Sequence, residues 1–109
     1  MPEQLFRLDV YIPESHLESV KVALFAAGAG RFGNYDCCAF QSQGCGQFRP
    51  CQGARPFLGS IGQVERVVEW KVELVLPESS LPTVIQALKD SHPYETPAYQ
   101  YWPIQHCWN

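Results

Sequence analysis

Apolar side chains occupy every second position from Phe6 through Leu8 and Val10 to Ile12, with Arg7, Asp9 and Tyr11 interleaved. A period of two sends alternate residues to opposite faces, so this segment predicts a half-buried β-strand. The period then changes. Leu17, Val20, Leu24 and Ala27 fall three and four apart, the spacing of a helix that turns one stripe to a core. Ser15 and Glu18 stand at the separation of a capping box, in which each would satisfy the other's free amide. Gly28 and Gly30 mark the helix stop.

The second half repeats this grammar. Pro-Glu-Ser recurs at Pro77, followed at matching offsets by Leu81, Val84 and Ala87-Leu88. Before it, Val64, Val68, Trp70, Val72, Leu74 and Leu76 alternate with Glu65, Glu69, Lys71 and Glu73, a strand long enough for the centre of a sheet. The second helix follows Ser79, tolerates Pro82 in its first turn, buries Leu81, Val84, Ile85 and Leu88, and ends at His92-Pro93. Ala98 to Trp102 reads as a short aromatic strand. Between the halves, Asn34 to Phe48 predicts an extended excursion that turns or bulges at Gly44 and Gly46 and returns to Phe48. Pro50, Gly53, Pro56, Gly59 and Gly62 make residues 49–62 an irregular loop.

The order β-α-β-β-α-β predicts one domain over residues 1–109 of the α+β class. Its expected form is a ferredoxin-like sandwich, with an antiparallel sheet, both helices on one face and an extra hairpin or loop excursion around residues 34–62. The other sheet face then needs a cover. Trp70, Tyr99, Tyr101, Trp102 and Trp108 suggest that subunits pack there. The alternative places these rings in the chain's own core.

Composition narrows the function classes. With 46% hydrophobic and 17% charged residues the chain is of ordinary globular type, and a net charge of −3 with eight scattered Lys and Arg leaves no basic face for nucleic acid. Val22 to Ala27 is far shorter than the roughly 18 apolar residues that span a bilayer, so no membrane partner is expected. Glu3, Arg7 and Asp9 sit where a signal peptide would be apolar, and the expected location is the cytoplasm. Five cysteines in that compartment read as reduced thiols, the odd number arguing against a disulfide scaffold.

Three segments carry candidate chemistry. Gly28-Ala29-Gly30-Arg31-Phe32-Gly33 spells a dinucleotide fingerprint, but a helix runs into it and a strand leaves it, the reverse of the context that phosphate binding needs. It reads as a helix stop and a tight turn, with Arg31 and the turn amides open to an anion. His92-Pro93-Tyr94-Glu95-Thr96-Pro97 offers an imidazole and a carboxylate for metal or proton chemistry; equally, His92 caps the preceding helix. Cys37-Cys38, Cys45 and Cys51 match no zinc spacing, although Cys38, Cys45 and His106-Cys107 leave a soft-metal site open. No nucleophile–base pattern, P-loop or paired-carboxylate motif accompanies them, so catalysis is not expected.

Several motifs together resemble a known family. Gly28-Ala29-Gly30, Gly33-x-Tyr35-x-x-Cys38-x-Phe40, Gly44-x-Gly46-x-Phe48-Arg49-Pro50, Pro56-x-x-Gly59 and His92-Pro93-Tyr94-Glu95-x-Pro97-Ala98 occur in the order seen in the YqfO-type domain. That domain stands alone or is inserted in bacterial Nif-three-like dinuclear-metal proteins, and the likeness extends over residues 4–102. The last motif is also similar to CutA-type divalent-ion-tolerance proteins, which like PII signal proteins are ferredoxin-like homotrimers with ligands in clefts between subunits. The metal ligands of the larger superfamily lie in flanking domains, so a metal-dependent hydrolase is the least favoured implication.

The resemblance implies a regulatory module that binds a small ligand or a divalent metal and assembles with itself, as a trimer, or with a protein partner. Arg31 would neutralise an anion and Tyr35 would donate a hydrogen bond, with Arg49 and Tyr94 as further ligand-binding candidates. Cys38, His92 and Glu95 are the candidate ligands of a divalent metal. A purely structural oligomerisation domain without ligand is the alternative.

Overall fold

The computed structural model describes residues 3–105. Four strands and two helices follow in the order β1 (Leu5–Pro13), α1 (Leu17–Ala26), β2 (Phe40–Phe48), β3 (Glu65–Pro77), α2 (Leu81–Ser91) and β4 (Tyr99–Ile104). All neighbouring strands run antiparallel in the order β2-β3-β1-β4, the ferredoxin-like sandwich that the element order predicts. The long strand β3 is internal, as its alternation requires.

The repeat in the sequence is a repeat in the structure. Strands β1 and β3 stop at Pro13 and Pro77, whose backbones are extended, and a 3-10 turn over Glu14–His16 or Glu78–Ser80 leads into each helix. Residues of one parity, Leu8, Val10 and Ile12 on β1 with Val72, Leu74 and Leu76 on β3, form the sheet side of the core. Leu17, Val20 and Leu24 from α1 and Val84 and Leu88 from α2 close it from above. Each full burial of such a side chain contributes about 1.5–3 kcal/mol, so this one layer dominates the fold's stability.

Three expectations are corrected. No capping box forms: His16 occupies the N-cap of α1 without a side-chain cap, Ser15 Oγ lies 2.8 Å from His16 Nδ1, and Glu18 pairs with Lys21 at 3.0 Å. The 3-10 turn takes up Ser15, which a capping box would place at the N-cap. Nor does the chain turn at Gly44 and Gly46. Both lie inside β2, which runs unbroken against β3 and places Gly44 opposite Glu69 and Gly46 opposite Val67.

Most of these aromatic residues do not make the open sheet face; of those described, only Trp102, opposite Arg7, does. Trp70 stands opposite Ile12, and Tyr99 and Tyr101 stand opposite Val10 and Leu8, so all three share the parity of the core. Trp70 and Tyr99 pack against that core, and Tyr101 meets Phe6 with ring centroids 6.1 Å apart. Trp108 lies outside the described residues, as do His106 and Cys107. The open face instead carries ions at its centre. Arg7 Nη2 lies 2.9 Å from Glu73 Oε1, Lys71 Nζ lies 3.5 Å from Asp9 Oδ2, and Phe40 and Trp102 flank the group as exposed rings.

Candidate ligand-binding site

Strand β3 outlasts β1. Its Glu69–Pro77 half pairs with β1, whereas its Glu65–Glu73 half pairs with β2, so residues 65–68 and their β2 partners 45–48 continue beyond Pro13 as a two-stranded arm. Two segments fill the space beside that arm. The loop after β2 is tied into a closed turn by the Gly62 amide, which donates to Pro50 O at 2.8 Å. The turn after α2 is held by His92, whose Nε2 lies 2.7 Å from Tyr11 O.

Tyr94 joins the two. Its ring lies 5.9 Å from Phe48 and 6.3 Å from Phe57 between centroids, and its hydroxyl donates to Glu69 Oε2 at 2.8 Å. Glu95 Oε1 accepts the backbone amide of Arg55 at 2.8 Å, fastening the loop to the turn. These contacts border a cavity of about 290 Å³ with Phe48, Phe57 and Tyr94 as aromatic walls and Glu69 and Glu95 as its acidic side chains. A Cβ on Gly46 would overlap the Glu69 carboxylate, so the absent side chain in β2 is what lets Glu69 take this position. Burial, reinforced by the bond to Glu69, pushes the Tyr94 phenol well above its ordinary range and keeps it a donor.

A second cleft of about 250 Å³ lies near the other end of the sheet, where Arg7, Arg31, Cys38 and Glu73 come together. Its floor is set by Gly30, whose amide donates to Val75 O at 2.8 Å and whose carbonyl accepts the Cys38 amide at 2.8 Å. At φ +77° with the Phe25 ring close by, this position suits glycine. The nearest lining residues on β3, Glu69 and Glu73, are four apart, which at about 3.3 Å per residue separates them by roughly 13 Å.

The sequence-predicted residues therefore divide. Tyr94 and Glu95 line the first cavity; Arg31 and Cys38 line the second. Tyr35 is 75% exposed, its backbone paired with Phe32, and it lines neither. Arg49 is exposed between Phe48 and Pro50, which do line the first. His92 is 6% exposed and both ring nitrogens are engaged, since Nδ1 receives the Tyr94 amide at 3.2 Å. Burial lowers its pKa, opposed in part by the bond to Tyr11 O. Cys38, His92 and Glu95 do not converge within one chain. No group of three or more His, Cys, Asp or Glu poised for a metal is found among the described residues. Glu69, Phe57 and Arg7 were missed, because they look like strand charges and a loop hydrophobe until the fold juxtaposes them. The described cysteines are free thiols, with Cys37, Cys45 and Cys51 exposed.

No family model matches the chain. Over 103 residues it is 46% identical to a Bacillus subtilis protein named GTP cyclohydrolase 1 type 2 homolog, a match that covers 94% of this chain and 28% of that protein. The solved structure of a Bacillus cereus protein related to NIF3 superposes with a TM-score of 0.82 at 40% identity, over 95% of this chain and 26% of that one. The chain thus spans about a quarter of the length of these relatives. The periplasmic divalent cation tolerance protein CutA of Archaeoglobus fulgidus matches along most of both chains, 95% and 87%, with a TM-score of 0.67 at 16% identity. Bacillus subtilis GlnK in its ATP complex gives 0.60 at 15% identity, covering 94% and 84%. These last two establish a shared fold of the CutA and PII type. No helix among the described residues is long and apolar enough to cross a membrane.

Proposed function

We propose that this chain is a non-catalytic regulatory module that binds a small ligand in the cavity between the 49–64 loop and the 92–98 turn and assembles with itself as a trimer. The observation that carries the reading is the Tyr94–Glu69 hydrogen bond at 2.8 Å within an aromatic-walled cavity. Ligand sites are typically concave, mostly apolar and supplied with a few fixed polar groups, and this cavity has that make-up at the small end of the usual ~300–1,000 Å³ range. With both His92 nitrogens engaged and the Tyr94 phenol held protonated, neither group is offered as a base near neutral pH.

Self-association is supported by the fold likeness to CutA and by two features of the sheet. Strands β2 and β4 are its edges, and exposed edges invite pairing. Phe40 and Trp102 present rings on the open face, 66% and 41% exposed. An anion site completed by a neighbouring copy at the second cleft would rest on Arg31, since Arg7 there is paired with Glu73 at 2.9 Å.

Native mass spectrometry of protein purified with reducing agent and without chelator tests the reading. A trimer carrying stoichiometric extra mass, lost in Tyr94→Ala, is the expected result. A trimer with no added mass leaves only a structural assembly domain, and a clean monomer overturns the oligomeric part.

A further inference from the structure

The cavity's walls specify the charge of what enters. Its lining includes two carboxylates, Glu69 and Glu95, and no lysine, arginine or histidine. Among the described residues neither carboxylate takes part in an ion pair, whereas Asp9 and Glu73, farther along the sheet face that Glu69 shares by strand parity, both do. Their partners here are neutral donors. Glu69 Oε2 receives the Tyr94 hydroxyl at 2.8 Å and Glu95 Oε1 receives the Arg55 backbone amide at 2.8 Å. Each carboxylate can accept further hydrogen bonds through its other oxygen, and a carboxylate beside an apolar wall gains most from a cationic donor.

The apolar part of the lining points the same way. Phe48 and Phe57 each stand within about one ring spacing of Tyr94, 5.9 and 6.3 Å between centroids. Aromatic surfaces attract cations electrostatically and also pack against flat apolar bodies. An inorganic anion would meet two negative charges here. A bare metal ion would meet two carboxylates with no third ligand of its kind among the described residues. A compact organic cation satisfies both halves of the lining at once.

We infer that the cavity between Phe57, Tyr94 and Glu69 selects an organic cation, an ammonium or guanidinium group on a small apolar or aromatic body. This rests on the ligand-site reading proposed above and adds the chemical class. Tyr94 acts by holding Glu69 in place, and Gly46 by leaving room for the carboxylate.

Isothermal titration calorimetry with three probes of one shape tests it: phenethylammonium, 2-phenylethanol and 3-phenylpropionate. The ammonium is expected to bind at least about tenfold more tightly than the alcohol, the order of effect of one charge-assisted hydrogen bond, and the carboxylate most weakly. Glu69→Gln keeps an oxygen for the Tyr94 hydroxyl and is expected to bring ammonium and alcohol to similar affinities, with an unchanged circular dichroism spectrum as the check on folding. Phe57→Leu is expected to weaken ammonium and alcohol together. The inference is overturned if the alcohol or carboxylate matches the ammonium, if the ammonium gives no binding heat, or if Glu69→Gln leaves the preference intact. Equal binding of ammonium and alcohol, both weakened by Phe57→Leu, would remove the cation preference and leave the ligand site standing. Failure of all three probes together with a ligand-free mass spectrum would remove the ligand site itself.

Discussion

His92 Nε2 lies 2.7 Å from the carbonyl oxygen of Tyr11, joining the end of the second helix to the end of the first strand. A carbonyl only accepts, so Nε2 carries the proton; Nδ1 is then the acceptor of the Tyr94 amide. The neutral ring satisfies both neighbours, while an imidazolium would point a second N–H at an amide N–H. Burial and this donor–acceptor pattern favour the neutral ring, in line with the lowered pKa.

Stability should therefore fall on acidification. With the folded pKa lowered, the unfolded chain takes up a proton at its ordinary value near 6.5 while the folded chain resists, so stability is full above about pH 6.5 and declines below it until the lowered folded pKa is reached. Thermal midpoints across that interval in wild type and His92→Gln check this. The variant should lose the His92 share of the slope, and a parallel slope in both would assign the acid sensitivity to other groups. His92→Ala should cost about 1–3 kcal/mol at neutral pH by leaving the Tyr11 carbonyl without its donor.

Gly46→Ala should affect the cavity more than the fold. The added Cβ would overlap the carboxylate of Glu69, which is the far end of a flexible side chain and can swing away. Replacing glycine within a strand favours the strand by up to about 1 kcal/mol, which offsets the displacement, so net stability should change by less than about 1 kcal/mol. The Tyr94 phenol should lose its carboxylate partner and titrate closer to its ordinary value of about 10, as read from its ring-carbon shift. An unshifted titration would mean that Glu69 keeps its place.

Gly30 and Gly33 should separate conformational strain from steric conflict. Both have positive φ, +77° and +59°, but a Cβ at Gly30 would stand 2.8 Å from Cys38 O and 2.9 Å from the Phe25 ring, while at Gly33 nothing lies within 4 Å. Gly33→Ala should cost about 1–2 kcal/mol for the left-handed backbone alone. Gly30→Ala should cost about 1–3 kcal/mol more, because packed neighbours must move. Urea midpoints that rank the two variants the other way would contradict the tight turn at Gly30.

Periodicity in this sequence carries most of the architecture. Alternation over Phe6–Ile12 and Val64–Leu76, helical stripes over Leu17–Leu24 and Leu81–Leu88, and the repeated Pro-Glu-Ser each reflect local backbone geometry, which neighbours along the chain impose on one another. Strand Gly44 and Gly46 misread as a turn because a glycine records only that a side chain is absent. At Gly46 the reason, room for Glu69, lies on another strand, whereas an added Cβ at Gly44 would meet nothing within 4 Å. The aromatic strand misled in the same way. Register against β1 decided which face Tyr99 and Tyr101 take, and one residue of shift would have reversed it.

The site was legible only in part. Its loaded segment, His92 to Pro97, stands out by residue type, yet the division of labour within it depends on distant groups: Tyr11 O takes His92 as a buried strut, Glu69 takes the Tyr94 hydroxyl, and Arg55 takes Glu95. Local sequence determined the strands, the helices and their order, because these follow from spacing along the chain. Tertiary structure alone decided that Arg31 and Tyr94 serve different cavities and that two carboxylates share an aromatic one. Those relations depend on which strand outlasts which and where the loops return, and they appear only when segments far apart in sequence are packed together.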